Sequence, residues 1–154
     1  MGKEIERKFL LKNDSWRSLA CGEICHQGYL SSTKERVVRV RIIGAKGFLT
    51  IKRFISGMLR MEFEYEIPIE DAREMLDQVC EKPLIEKKRY RIEYQGMVWE
   101  IDEFLGANEG LVVAEVELKQ ENQSFEKPEW IGAEVTEDPR YLNINLVRHP
   151  FSKW

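Results

Sequence analysis

Along this 154-residue chain, segment after segment alternates charged with apolar side chains, and the charged positions keep one parity within each segment. In a β-strand successive side chains leave on opposite faces, so this alternation fixes two unlike faces on every strand. Eight segments read this way: 3–11, 23–31, 35–43, 46–54, 59–67, 83–94, 97–105 and 110–119. Gly44–Ala45–Lys46–Gly47, Ser56–Gly57, Gln95–Gly96 and the stretch from Gly106 to Gly110 supply tight turns, which predicts an antiparallel sheet. The opening strand sets the pattern, with Glu4, Glu6 and Lys8 on one face and Ile5, Arg7 and Phe9 on the other. Carboxylates two residues apart on a strand lie about 7 Å apart. That suits hard divalent cations, which take carboxylate oxygens, while phosphate oxygens take Lys and Arg.

The charged face changes sign from strand to strand. The third strand carries Arg39 and Arg41 against Val38, Val40 and Ile42; the fourth carries Thr50 and Lys52 against Leu49 and Ile51. The fifth presents Arg60, Glu62, Glu64 and Glu66 opposite Met61, Phe63, Tyr65 and Ile67. The sixth has Lys87, Arg89 and Arg91, the seventh Glu100 and Asp102, the eighth Glu115, Glu117 and Lys119. An antiparallel sheet with one solvated face accounts for polar-out alternation. A barrel turned inside out accounts for it too, with the ionised face lining a closed eight-stranded lumen. Two like charges about 5 Å apart repel by roughly 3 kcal/mol at an effective dielectric of 20. A lumen of this kind therefore wants a polyanion for its bases and a divalent cation for its acids. Periodicity permits both readings.

Composition narrows the classes. Hydrophobic residues at 43% and charged residues at 33% describe a globular chain with a heavy charge load, and its length suits one domain over 1–154. A net charge of −3 argues against nucleic acid as the main partner. No apolar run approaches the roughly 18 residues of a membrane span, and charges from Lys3 onward argue against a secretory signal. Cys21, Cys25 and Cys80 form no Cys-x-x-Cys pair and read as free thiols of a reducing cytoplasm. Glu70 to Cys80 has helical spacing with acids in its first turn, and Thr136–Glu137–Asp138–Pro139 opens a second helix near 137–147. The aromatics Phe63, Tyr65 and Trp99 fall on the apolar parity and are expected to pack beneath outer helices.

The segment EIERKFL (4–10) resembles the opening of the CYTH superfamily, the triphosphate tunnel metalloenzymes. Further matches follow in order: HQGYLS (26–31), RVRI (39–42), TIKR (50–53), RMEFEYEIP (60–68), EKKRY (86–90), WEIDEFLG (99–106), VAEVEL (113–118) and EVTEDPRY (134–141). The resemblance implies a mainly β (α+β) fold, a closed eight-stranded antiparallel β-barrel with a charged interior and a few helices packed outside. It places phosphate-binding bases at Lys8, Arg39, Arg41, Lys52, Lys87 and Arg89, with Arg60 before the central acids. It places metal-binding acids at Glu4, Glu6, Glu62, Glu64, Asp102, Glu115 and Glu117, for one or two Mg²⁺ or Mn²⁺ ions. Both sets coincide with the parity faces, although parity also puts Glu66 beside Glu62 and Glu64 and leaves open which two meet metal. Tyr29, in the family's Gly-Tyr, either orients a base or water or packs at the tunnel mouth. The expected catalytic set is Glu4, Glu6, Lys8, Tyr29 and Lys52.

The short chain and its VTEDPRY tail most resemble small bacterial inorganic tripolyphosphatases, which implies metal-dependent cleavage of tripolyphosphate to diphosphate and phosphate. A class IV-type adenylate cyclase or a thiamine triphosphatase is the alternative, and a non-catalytic polyphosphate-binding module the second. The expected partner is a small polyanion, not nucleic acid or membrane, and a homodimer stays open. A general base is open among Glu62, Glu117 and a lysine with a depressed pKa. The tail is expected to lie near the tunnel as a plug or lid, without catalytic residues.

Overall fold

The sequence folds as eight strands that close on themselves, and a computed structural model describes residues 2–33, 35–56 and 58–154. The strands are β1 (Gly2–Leu11), β2 (Glu23–Ser32), β3 (Arg36–Ile43), β4 (Lys46–Ser56), β5 (Leu59–Ile67), β6 (Ile85–Tyr94), β7 (Met97–Phe104) and β8 (Val112–Leu118). Each lies within two residues of its expected limits. A short β9 (Ile131–Glu134) was not foreseen from sequence; four residues hold too little alternation to register.

Neighbouring strands pair antiparallel in the ring β1-β5-β4-β3-β2-β6-β7-β8, which returns to β1. The closing strand is shared. Its residues Gly2–Ile5 pair with β5, Ile5–Leu10 with β8, and its C-terminal end with β9. At the β6–β7 hairpin, Gln95 and Gly96 take φ of 49° and 77°. Two consecutive left-handed residues are what a two-residue hairpin of this twist requires, and glycine takes that conformation without strain. The Ser56–Gly57 turn involves Gly57, which lies outside the described residues.

The apolar parity faces outward and is covered by two clusters, while a third lies at one mouth of the barrel. Helix α1 (Ile69–Gln78) lays Ala72 and Leu76 on Val40, with Leu30, Ile42, Leu49 and Ile67 around them. On β1, β6, β7 and β8 an aromatic belt forms from Phe9, Trp16, Tyr90, Trp99 and Trp130. Its rings meet edge-on or tilted, as their quadrupoles prefer, at 5.6 Å for Phe9–Trp99, 4.9 Å for Trp16–Tyr90 and 6.0 Å for Trp99–Trp130. Trp99 is buried as expected. Tyr65 is not: it is 58% exposed, because α1 packs on β3 and β4 rather than on β5, and Ile51 and Ile55 are exposed further along β4.

The third cluster joins Tyr29, Ile85, Phe104, Leu111 and Val113 to Tyr141, Leu146 and Val147. Tyr29, Ile85, Phe104 and Val113 have the lumen parity of their strands, so the C-terminal segment fills one mouth of the barrel. The helix expected near 137–147 is broken. Asp138 caps a 3-10 turn at Pro139–Tyr141 by accepting from Arg140 N at 3.1 Å, Leu142 is extended (φ −69°, ψ 131°), and α2 covers only Asn143–Arg148. Asp138 makes a good cap, but Leu142 must leave helical geometry for Leu146 and Val147 to reach the mouth.

The second residue of the Gly28–Tyr29 pair faces the lumen and the first faces outward, where the loop after α1 crosses β2. A Cβ at Gly28 would come within 2.7 Å of Leu84 Cδ2 and 2.8 Å of Cys80 Cβ, whereas one at Gly2 would meet nothing within 4 Å. Gly28→Val should therefore destabilise by about 1–3 kcal/mol, as overpacked sites do, and Gly2→Ala should be close to neutral. Urea unfolding of both variants measures the difference.

Candidate active site

The strands bring the charged parity into one lumen, and the ions there sort themselves into groups. On the β6–β7 wall, cross-strand register sets Arg89 directly opposite Asp102. Arg89 Nε donates to Asp102 Oδ1 at 2.7 Å and Nη2 to Oδ2 at 2.8 Å, while Lys87 Nζ reaches Oδ2 at 2.7 Å. All three are buried, Lys87 at 0% exposure. Arg89 also faces Glu100 at 3.5 Å and Glu115 at 3.9 Å. Burial opposes the Arg89 charge, but Asp102, Glu100 and Glu115 outweigh it and raise the pKa well above the ordinary value. For Lys87 burial wins over Asp102, and Arg89 and Arg41 add to it, so its pKa is lowered. Burial would raise Asp102; Arg89 and Lys87 more than reverse this and hold the carboxylate ionised.

Across the lumen the balance is the opposite. Lys52 Nζ donates to Glu4 Oε1 at 3.0 Å and lies 3.4 Å from Glu62. Burial, then a hydrogen bond with Glu62, pushes Glu4 up to about 7 against the pull of Lys52. Burial also raises Glu117, helped by the charges of Glu4, Glu6 and Glu100. Glu6 and Glu117 are direct partners across β1–β8, and like charges placed opposite one another repel. Burial and Arg39 act against the Lys52 ammonium, but Glu6, Glu4 and Glu62 prevail and raise its pKa.

Lys8 and Glu115 face each other at 3.8 Å, and Lys8 Nζ also donates to the Tyr141 carbonyl at 3.2 Å. Glu64 accepts from Thr50 Oγ1 at 2.8 Å and lies 3.5 Å from Arg39. Of the three acids left open on β5, Glu62 thus meets Glu4 and Lys52, Glu64 meets Thr50 and Arg39, and Glu66 is exposed opposite Phe48. Arg60 donates to the Met58 carbonyl at 3.3 Å and pairs in register with Glu4. The Arg41 side chain makes no hydrogen bond or ion pair among the described residues. Its Nε and that of Arg39 are buried without partners, and burial, Arg39 and Arg89 lower its pKa. Tyr29 is buried in the mouth cluster, its hydroxyl accepting from Gln27 Nε2 at 3.2 Å.

Several lumen residues stood outside the sequence-derived set. Glu100, Thr50 and Gln27 share the lumen parity and were within reach of the same argument. The Tyr141 carbonyl and Asn143, whose Oδ1 lies 3.5 Å from Lys87 Nζ, carry no parity and gave no signal. A surface cavity of about 570 Å³ between α1 and the β2–β3 end holds none of the lumen ions.

The acids suit a hard cation chemically. Among the described residues no three acid, histidine or cysteine side chains converge into a cage. Magnesium, however, is commonly held by one or two carboxylates, with substrate phosphates and water completing its shell. Glu4 and Glu62, two carboxylates gathered on one lysine, fit that description.

A CYTH domain model matches residues 2–150. The chain belongs to the CYTH family. It is 54% identical over 154 residues to an inorganic triphosphatase of Acetivibrio thermocellus, covering 100% of this chain and 99% of that protein. An inorganic triphosphatase of Nitrosomonas europaea is 38% identical over 148 residues, covering 94% and 96%. A solved inorganic triphosphatase aligns with TM-score 0.66 and 36% identity over 96% of this chain and 95% of its own. A hypothetical protein from Pyrococcus furiosus, at 22% identity and TM-score 0.61 over 77% of this CYTH chain and 80% of its own, shares the fold.

The Glu4 shift has a thermodynamic sign. Its folded pKa of about 7 lies above the unfolded value of 4.5, so the folded state binds the extra proton between them. Stability of the metal-free protein should fall as pH rises from about 4.5 to 7, by at most roughly 3 kcal/mol from this group. Glu4→Gln should remove that slope and be more stable than wild type at pH 8. Urea midpoints for both proteins at pH 5 and pH 8 in chelator check this, and equal slopes would contradict the assignment.

Proposed function

We propose that this chain is an inorganic triphosphatase that hydrolyses tripolyphosphate to diphosphate and phosphate within the barrel. One observation carries the reading: the lumen holds two arginines with unpartnered buried Nε atoms together with two carboxylates, Glu4 and Glu62, that share a single lysine. The first keep donor capacity for an anion, and the second have more negative charge than their one lysine balances. A metal-bound polyphosphate suits both, and the named activity of relatives 54% and 38% identical agrees with it.

Phosphoryl transfer asks the protein chiefly to position groups and neutralise charge. In this reading Arg39 and Arg41 bind the non-bridging oxygens most strongly, because neither is saturated by an acid. Arg60, Lys8, Lys52, Lys87 and Arg89 complete the basic lining. Lys52 sits between the two sets and orients Glu4 and Glu62 while offering a proton to a phosphate oxygen. Mg²⁺ or Mn²⁺, when bound, would spread charge on the phosphates and activate water. Glu4, Glu6 and Glu62, with Glu117 near them, would hold it; Glu64 and Glu115 are tied to bases at rest, as is Asp102. Burial lowers the Lys87 pKa, but its contact with the ionised Asp102 keeps it in service as a phosphate-binding cation, which leaves the water proton to a lumen carboxylate such as Glu62 or Glu117. Tyr29, bonded to Gln27 within the mouth cluster, is read as packing and orienting. Three free cysteines suit a reducing cytoplasm.

Tripolyphosphate, thiamine triphosphate and ATP, each tested with Mg²⁺, Mn²⁺ and chelator, should give phosphate release fastest from tripolyphosphate and none in chelator. No release from tripolyphosphate with either metal would end this reading. Arg41→Ala should lower kcat/KM by about 10- to 100-fold, the cost of one or two charge-assisted contacts, and Glu6→Gln should abolish metal-dependent turnover without unfolding the chain.

A further inference from the structure

The acids of the lumen are not equivalent, and Asp102 stands apart from the rest. We infer that Asp102 is a positioning residue that holds Lys87 and Arg89 for the phosphate chain, and that it is not a ligand of the divalent cation. The inference rests on the proposed function only in taking the lumen as the tripolyphosphate site.

Register and geometry both favour it. Arg89 and Asp102 are direct partners across β6–β7, and Lys87 lies two residues along on the same face, so the backbone itself delivers two bases to one acid. Both carboxylate oxygens are engaged: Oδ1 by Arg89 Nε at 2.7 Å, Oδ2 by Arg89 Nη2 at 2.8 Å and Lys87 Nζ at 2.7 Å. The planar fork of arginine fits a carboxylate in this two-bond manner and fixes its orientation. A dication at Asp102 would meet Arg89 and Lys87 at contact distance, with Arg41 close behind. Glu4 and Glu62 present the reverse, two acids sharing a single lysine. Negative charge is in excess on that wall and positive charge on this one.

The same contacts account for how the bases are held. The Lys87 ammonium is confined between the Phe104 ring, 5.5 Å away, and Asp102. Arg89 is confined by Asp102, with Glu100 and Glu115 further off. Without the Asp102 charge, two buried cations two residues apart would repel and rotate away from each other. The group of Arg41, Arg89, Lys87 and Asp102 keeps a net positive charge, so it still draws an anion.

Two calorimetric titrations separate the roles without turnover: Mn²⁺ alone, and tripolyphosphate in chelator, each into wild type, Asp102→Asn and Glu4→Gln. Mn²⁺ affinity should stay within about threefold of wild type in Asp102→Asn and fall at least about tenfold in Glu4→Gln, as loss of a direct ligand does. Tripolyphosphate affinity should weaken about tenfold or more in Asp102→Asn, with a matching rise in KM at saturating metal. Lys87→Met with Asp102→Asn should lose no more kcat/KM than Lys87→Met alone, since one acts through the other. The inference is overturned if Mn²⁺ affinity in Asp102→Asn drops as it does in Glu4→Gln. It is equally overturned if only the melting temperature falls while tripolyphosphate affinity and KM hold. Should Asp102→Asn fail to fold, the double variant, which removes acid and base together, takes its place in the Mn²⁺ titration against Lys87→Met. Equal Mn²⁺ affinity in those two supports the inference, and a tenfold loss in the double variant overturns it. Wild type that binds both ions yet releases no phosphate is a failure of the proposed function, and it leaves these titrations readable.

Discussion

Charge inside a closed barrel is tolerable only where ions compensate one another, and this constraint organises the whole lumen. Removing a single ion from water costs several kcal/mol even after relaxation, and a neighbouring opposite charge recovers it only with good geometry. The β6–β7 wall meets that demand with the two-bond Arg89–Asp102 contact and Lys87 beside it. The opposite wall meets it incompletely: Lys52 serves two acids, and the remaining mismatch appears as the raised pKa of Glu4. Arg39 and Arg41 are left with unpartnered Nε atoms. The lumen is thus balanced at its anchors and unbalanced at the positions that face a ligand.

That arrangement holds only if the ring stays closed, and closure depends on β1. By pairing with β5 through its first half and β8 through its second, β1 removes both free edges and places Glu4, Glu6 and Lys8 in register with Arg60, Glu117 and Glu115. Its outward residues Ile5 and Phe9 are buried in the aromatic belt, which clamps the seam from outside. Sequence links these two jobs, since moving β1 by one residue would turn its acids outward and its apolar residues into the lumen.

Parity makes most of this legible in the sequence. Strand limits, antiparallel pairing and the membership of the charged face follow from alternation, because a strand has only two faces and Trp99 or Phe9 cannot share one with Glu100 or Lys8. Alternation does not say which face is inside. That came from the family resemblance and is settled by the burial of Lys87, Asp102 and Arg89 alongside that of Trp99 and Phe9. Pairing within the face was also illegible: Asp102 and Glu62 look alike in sequence, yet register gives one two bases and the other half of one lysine. Tyr65 departs from expectation for a different reason. An apolar parity predicts an outward face, but which strands a helix covers is a tertiary choice, and α1 packs on β3 and β4 rather than on β5. The tail gave least, because a 3-10 turn, one extended residue and six helical residues leave no period to read.

The tail nevertheless decides how the lumen is approached. At the mouth it fills, the lumen-parity residues Tyr29, Phe104 and Val113 are at most 4% exposed, so that end is packed shut by apolar contact with Leu146 and Val147. At the other end the lumen-parity residues Glu66, Arg91 and Glu117 are all exposed. Exposure therefore rises along the axis from the plugged mouth to the acidic rim. An anion entering there passes Arg91 and the carboxylates before it reaches Arg41 and Arg39. Those carboxylates oppose an uncompensated anion, so the rim sets an electrostatic threshold ahead of the basic interior. A polyanion meets these acids before it meets the buried guanidinium groups, and the plugged end, where Lys8 is held by the Tyr141 carbonyl, limits how far it can advance.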